Sequence, residues 1–386
     1  MGKFIDKLSE DFVTRFGREL YHCSSCNYCV DAVWPARGMN GVCATMEQHS
    51  RAPGYSGRGF IEAARAIVDG QALNGEALAQ RVFTCTTCGN CETACPIGLH
   101  PASVGRALRE ELIAADCLPA AVVQARDAFF GQGNVYGVPR AQRHDWRAEL
   151  PAAASERGPL LFAGCAAALG LPVEAQAAHE LLSQAGLDVG IATTACCGAP
   201  LAELGFRREA DALTIAAAAV LADREVLVAG SECCKQLHAA GVEARSIAAW
   251  LCAAVASGSL ILRSKPGLQA PLAVYMIESC QHKVSAADGD EHAVAALLGT
   301  LGISLTNTDF PNRHASCCGA AGGMPAIEPQ SAARMAQARL PMSGVAVTLD
   351  SRCACHLKAS AGDGIEVLGF VSFMARYFTL HQHRLS

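Results

Sequence analysis

Apolar and polar positions divide the chain into three stretches. Over about the first 125 residues, amphipathic helical patterns such as Phe60–Val68 and Ala102–Ala114 lie between clusters of cysteine. Residues 131–158 are rich in Gly, Pro, Arg and Ala and read as a linker. Beyond them, short apolar runs alternate with helical patterns. Leu160–Cys165, Glu225–Ala229, Ala273–Cys280 and Ala346–Asp350 read as strands and their ends, and Val173–Gln184, Arg207–Ala222, His292–Thr300 and Gln330–Arg339 as helices. Strands alternating with helices predict parallel sheets. The longest uncharged apolar run, Gly158–Val173, is too short and too broken by Gly and Pro to span a membrane.

The last two thirds carry one unit twice. Cys196-Cys197-Gly198 recurs 121 positions later as Cys317-Cys318-Gly319. The same shift carries Cys234 onto Cys355, and Glu225–Ala229 onto Ala346–Asp350. Upstream, Leu160–Cys165 resembles Ala273–Cys280, 115 positions on. A common displacement of separate features is what duplication produces. Cys165, Cys234, Cys280 and Cys355 all follow predicted strands, at the carboxyl ends where α/β sheets gather ligands.

Composition turns attention to metal. The 386 residues include 20 Cys, yet a chain of this length needs no disulfides to supply a core. Met1–Lys7 has no apolar segment of a secretory signal, and position 6 lacks the Ser or Thr of a myristoylation signal. The expected compartment is the cytoplasm, with peripheral attachment to the cytoplasmic membrane as the alternative. Many cysteines in a reducing compartment point to metal sites. A formal net charge of -5, with no basic patch among aromatics, argues against a nucleic-acid partner.

The run Cys85-x2-Cys88-x2-Cys91-x3-Cys95-Pro96 has the spacing of a bacterial-type [4Fe–4S] ligand run, whose fourth Cys serves the neighbouring cluster. Zinc sites use two separated pairs instead. Its counterpart is Cys23-x2-Cys26-x2-Cys29, but Val33 stands at the usual fourth position. We expect Cys43 to substitute. Cys23, Cys26, Cys29 and Cys95 would then hold one cluster, and Cys85, Cys88, Cys91 and Cys43 the other. Without Cys43, the second site would be a [3Fe–4S] cluster or take a ligand other than Cys.

Downstream, site one offers Cys165, Cys196, Cys197, Cys233 and Cys234, and site two Cys280, Cys317, Cys318, Cys353 and Cys355. Five thiols are too many for one tetrahedral zinc. Adjacent cysteines in an extended chain point apart, which suits bridging different irons.

The repeated Cys…Cys-Cys-Gly…Cys pattern resembles the CCG domain of heterodisulfide reductase. The whole chain resembles the fused catalytic subunit of that family, and is similar to the iron–sulfur subunits of anaerobic glycerol-3-phosphate dehydrogenase and glycolate oxidase. The resemblance implies a multi-domain fold. An N-terminal α-helical ferredoxin-like domain with two clusters (1–125) would lead through a linker (126–157) to a duplicated α/β CCG domain with parallel sheets (158–268 and 269–386). It also implies one or two further [4Fe–4S] clusters, noncubane in type, in the CCG repeats. The family's closing Cys-x-x-Cys is broken here, with Ser231 and Arg352 at its first position. The fifth thiol is displaced to Cys233 and Cys353, so cubanes, or zinc at one site, stay open.

No flavin or nicotinamide fingerprint is present, so hydride chemistry falls to a partner. A flavoprotein or other redox subunit is the expected partner, with a membrane-associated quinone or cytochrome as a further one. An electron-relay subunit and a disulfide reductase acting at a CCG cluster are the competing functions, and a zinc-stabilised scaffold is the third. For the reductase, His282, His314 and His356 near site two are candidate proton donors. The displaced thiols favour the relay.

Overall fold

The computed structural model describes residues 3–32, 41–148, 150, 158–192, 196–221, 223–267, 272–281, 291–307 and 315–382. The N-terminal domain is helical: α1 (Glu10–His22), α2 (Tyr28–Asp31), α3 (Ala44–Gln48), α4 (Gly57–Val68), α5 (Gly75–Val82), α6 (Asn90–Ala94), α7 (Pro101–Ala114) and α8 (Ala120–Gln132). A small antiparallel pair, β1 (Phe4–Ile5) with β2 (Leu73–Asn74), ties its ends. Ser9, Ser56 and Asn74 cap α1, α4 and α5 by accepting from backbone N–H groups in the first turn. The short helices exist to place sulfur: Cys29 lies in α2, Cys43 caps α3, and Cys91 lies in α6.

Both Cys-x2-Cys loops take the same shape. Ser25 and Asn27 have φ of 54° and 67°, and Thr87 and Gly89, at the matching positions, have 53° and 76°. Left-handed residues are costly except at glycine and asparagine. Their recurrence at both loops means that the local sequence bends the chain around each thiol group.

Two elements depart from the linker expected over 126–157. Helix α8 runs on to Gln132, and Arg140–Arg147 forms a 3-10 helix whose Arg143 and Trp146 are buried. The segment is thus a packed strap over the first repeat.

The first repeat comprises β3 (Leu160–Phe162), α9 (Pro172–Gln184), β4 (Gly190–Ile191), α10 (Ala199–Leu204), α11 (Arg207–Leu221), β5 (Val226–Val228), α12 (Ser231–Ala239), β6 (Ala244–Ser246), α13 (Ile247–Ala256) and β7 (Leu260–Ser264). The second comprises β8 (Ala273–Ile277), α14 (Glu291–Thr300), β9 (Ser304–Leu305), α15 (Met324–Ile327), α16 (Pro329–Gln337), β10 (Gly344–Thr348), α17 (Ser351–Ser360), β11 (Ile365–Gly369), α18 (Phe370–Tyr377) and β12 (Phe378–Gln382). Both sheets are parallel, in the orders β4-β3-β5-β6 and β9-β8-β10-β11. The order reverses at the first strand of each repeat, so a crevice opens at the carboxyl ends of β3 and β5, and of β8 and β10.

The repeats pack around a pseudo-twofold axis, each lending the other what it receives. Helix α9 lies on α18, α13 lies on α14, and β7 pairs antiparallel with β12. Side chains alternate along the strands as a pleat requires. Leu160, Phe162, Val226 and Val228 face a core shared with the N-terminal domain, whereas Leu161 and Leu227 face a core shared with Val274, Met276 and Val347 of the second repeat. The first sheet is therefore buried on both sides, between the N-terminal domain and the second repeat.

Strand register corrects the repeat alignment. Phe162 pairs with Val228, and Ile277 pairs with Thr348. At the third strand and the helix after it the repeats are therefore 120 residues apart, one fewer than at the Cys-Cys-Gly motifs. Cys233 matches Cys353, and Cys234 does not match Cys355.

Candidate metal centres

In the N-terminal domain the thiols fall into two groups. Cys29 is pushed up to about 12 by burial first, then by the neighbouring thiols of Cys23, Cys95 and Cys26. Cys43 is likewise pushed up to about 12, mainly by burial, with Cys85 and Cys29 as its sulfur neighbours. Burial also raises Cys91, with Glu92, Cys85 and Cys43 around it. Cys95 thus lies beside the first run, and Cys43 beside Cys85 and Cys91, with Cys29 near both groups. Val33 lies outside the described residues.

In the first repeat, Cys165, Cys196, Cys197 and Cys233 line one pocket, and Cys197 Sγ stands 3.3 Å from Cys233 Sγ. These four come from the ends of β3 and β5 and the Cys-Cys-Gly loop. Cys234 turns away, with its sulfur 3.5 Å from the Ala244 carbonyl in the core. The second repeat repeats the pattern. Cys280 and Cys317 sulfurs stand 3.9 Å apart, and Cys318 and Cys353 sulfurs 3.3 Å. Cys355 is instead next to Gly170 of the first repeat, where a Cβ would lie 2.8 Å from its sulfur. Cys233 and Cys353 therefore stand at the thiol sets, on the α12 and α17 turns that follow β5 and β10.

The second set does not end within its repeat. Cys88 of the N-terminal run packs against the buried cluster that holds Cys280 and Cys317, and the Cys317 thiol raises its pKa. Cys317 Sγ accepts from the Gly319 N–H at 3.4 Å and stands 3.9 Å from the Cys280 sulfur, and the neighbouring Cys280 and Cys318 hold its thiol well below the usual range despite burial. Gln281 Nε2 donates to the Thr87 carbonyl at 3.1 Å, and Asn90 Nδ2 to the Ala315 carbonyl at 2.6 Å, fixing the two segments together.

Site one, in contrast, opens on a small pocket of about 30 Å³. Cys165, Cys196, Cys197 and Cys233 line it, together with Tyr136, Glu232 and Arg352. Arg352, from the second repeat, is held by both oxygens of Glu203 at 2.8 Å and by Glu232. Arg143 of the strap reaches the Cys165 sulfur at 3.4 Å. None of these charged residues carried a local signal, since isolated Arg and Glu in a helical pattern read as solvated.

His356 Nε2 lies 3.1 Å from the Ala332 carbonyl and is engaged there rather than at a thiol. His282 and His314 lie outside the described residues. Cys117 and Cys252 are buried away from the thiol sets, as apolar core residues.

The residues fit an iron–sulfur cluster in donor type. Every donor gathered is a thiol, and glycines stand where a side chain would intrude. A Cβ at Gly57 would come within 3.1 Å of the Cys91 sulfur, and one at Gly164 within 3.0 Å of the Cys233 sulfur. Among the described residues, no three Cys, His, Asp or Glu side chains converge as on a single ion. Nor is any described helix long and apolar enough to cross a membrane.

Comparison with known proteins agrees with this anatomy. The 4Fe-4S dicluster domain family matches residues 19–99, and the cysteine-rich domain family, CCG, matches 160–238 and again 274–358. The probable iron-sulfur-binding oxidoreductase FadF of Bacillus subtilis (strain 168) is 26% identical over 176 residues. That stretch is 37% of this chain and 25% of the relative, so the chain spans about a quarter of that protein's length. No solved structure matches. The chain is a CCG-domain iron–sulfur protein, a 4Fe-4S dicluster domain followed by two cysteine-rich repeats.

Proposed function

We propose that this protein is the iron–sulfur subunit of an oxidoreductase, passing electrons between its dicluster domain and its CCG repeats. The carrying observation is the packing of Cys88 against the buried cluster that holds Cys280 and Cys317. It sets a thiol of the ferredoxin-type run against the cluster that contains one of the Cys-Cys-Gly pair. Cys23, Cys26, Cys29 and Cys95 would hold one [4Fe–4S] cluster, and Cys43, Cys85, Cys88 and Cys91 the other. Cys280, Cys317, Cys318 and Cys353 would hold a third, and Cys165, Cys196, Cys197 and Cys233 a fourth. Bound there, the clusters supply one-electron transfer. The chain's own part is to exclude water from Cys280, Cys317, Cys318 and Cys353, which are buried, and to fix neighbouring sets together through Gln281 and Asn90. Thiols strung along lines suit several bridged irons better than one tetrahedral ion. The electron partner is a flavoprotein or other redox subunit, because the chain has no nucleotide fingerprint of its own.

A second reading has one observation in its favour. The site-one thiols line a pocket that also holds Arg352, as chemistry on a small disulfide or thiol would need. Iron, sulfide and EPR analysis of anaerobically prepared protein separates these readings from a scaffold. About sixteen iron per chain is expected for four clusters. About eight iron with zinc would overturn the role of the CCG repeats. Co-purification with a flavoprotein supports the relay, whereas disulfide reduction by the isolated chain with an artificial donor supports the second reading.

A further inference from the structure

Arg109 is fully buried, and it is the largest side chain so enclosed. It rises from α7, the last long helix before α8, into the junction of all three domains. Its Nε donates to the Val82 carbonyl at 3.2 Å, and one terminal nitrogen donates to Val82 at 2.9 Å and to the Cys85 carbonyl. The other donates to the Glu203 carbonyl of the first repeat at 2.5 Å and to the Gly322 carbonyl of the second at 2.9 Å. All five N–H groups are thereby used, on carbonyls from three domains. The Phe83 ring lies 5.0 Å from the guanidinium carbon.

The hydrogen bonds are complete, but the charge is not. Every partner is a neutral carbonyl, and no ion pair to Arg109 is present among the described residues. A buried cation without a counter-charge is costly. Glu203 hydrogen-bonds Arg109 only through its carbonyl, and its carboxylate, which favours the charge from nearby, is shared with Arg352 and the Gly322 N–H. What stands next to Arg109 instead is Cys85, whose carbonyl it holds. A cubane on four thiolates is a dianion and becomes a trianion when it takes one electron. A fixed positive charge in a low-dielectric junction favours the more negative state.

We infer that Arg109 is the buried counter-cation of the cluster carried by Cys85, raising that cluster's reduction potential at the junction with the CCG repeats. Arg109 acts through the field at the cluster and through the position of the Cys85 loop, so it is a positioning residue. The inference rests on the reading that Cys85 holds a cluster. Iron content of the unaltered protein tests that reading separately.

The experiment is an EPR-monitored redox titration of the full chain, comparing Arg109→Gln and Arg109→Lys with the unaltered protein, each checked for iron. Arg109→Gln is expected to move one of the two dicluster-domain potentials to a more negative value and leave the other in place. Arg109→Lys keeps the charge and is expected to retain the original potential. Equal negative shifts in both variants would overturn the inference in favour of fork geometry alone, and unchanged potentials in Arg109→Gln would overturn it outright. Loss of iron from both variants would also overturn it, since the arginine would then serve the fold rather than the potential.

Discussion

Glu232 and Arg352 occupy equivalent positions of the two repeats, 120 residues apart, and pair with each other across the pseudo-twofold axis. Around them the same axis sets Ser231, which donates to Asp350 at 2.6 Å, and Ser351, which donates to the Ala229 carbonyl at 2.7 Å. Duplication alone would place identical residues there, and two like charges would repel. Divergence to opposite signs lets the N-terminal turns of α12 and α17 meet at the centre of the molecule.

Removing Arg352 should therefore be far worse than removing a surface charge. Arg352→Met leaves Glu203 and Glu232 buried without a counter-charge, with only the Gly322 N–H on Glu203, and is expected to cost about 3–5 kcal/mol. Thermal unfolding under anaerobic conditions measures it. A loss near that of an exposed pair, below about 1 kcal/mol, would show that water reaches the network.

Cys233 and Cys234 are neighbours in sequence with different expected fates. Cys233→Ala should lose about four iron per chain, with the corresponding EPR signal, because it stands at the Cys197 sulfur. Cys234→Ala should keep its iron and lose about 1 kcal/mol of core packing. The reverse pattern in iron analysis would return Cys234 to the ligand set.

Gly322 holds the domain junction by having no side chain. Its φ is +67°, and a Cβ would lie 2.2 Å from the Cys85 carbonyl oxygen. Gly322→Ala is expected to cost about 1–3 kcal/mol in overpacking, plus about 1–2 kcal/mol for the left-handed backbone. A denaturation midpoint unchanged from that of the parent would contradict this close approach.

Glu174 gives a pH test remote from the thiols. It is buried between α9 and α18, where burial raises its pKa and hydrogen bonds from the Ser372 hydroxyl and N–H lower it less. The folded state thus holds the proton more tightly than the unfolded chain. The stability this contributes is full at acid pH and is lost as pH rises from the ordinary carboxylate value through the raised one. Glu174→Gln should flatten that decline and be at least as stable as the parent at neutral pH. Melting temperatures across about pH 4.5 to 8 check it, and parallel profiles for the two proteins would refute it.

Much of the architecture was legible because its signals are local. The Cys85–Cys95 run announces ligand chemistry through spacing within one loop. Alternating strands and helices announced two parallel sheets, and helix bounds such as Pro101–Ala114 differ by one residue from the expected Ala102–Ala114. Motif spacing also announced the duplication. The linker over 126–157 was less legible, because Arg143 and Trp146 are buried by what they pack against, not by any periodicity of their own.

The cysteine-rich run with which the chain begins, and the Cys-Cys-Gly pair it carries twice, are properties of sequence alone. Which thiols meet is a property of the fold. Cys233 and Cys234 differ by about 100° around one helix, and only the packing of α12 on β6 decides which faces the site. The one-residue slip between the repeats is invisible until strand register fixes it. Arg109 and the pair Arg352–Glu232 join segments more than 90 residues apart. Local sequence encodes the cost of burying a charge but not the partner that offsets it, and only the closed tertiary structure brings the two together.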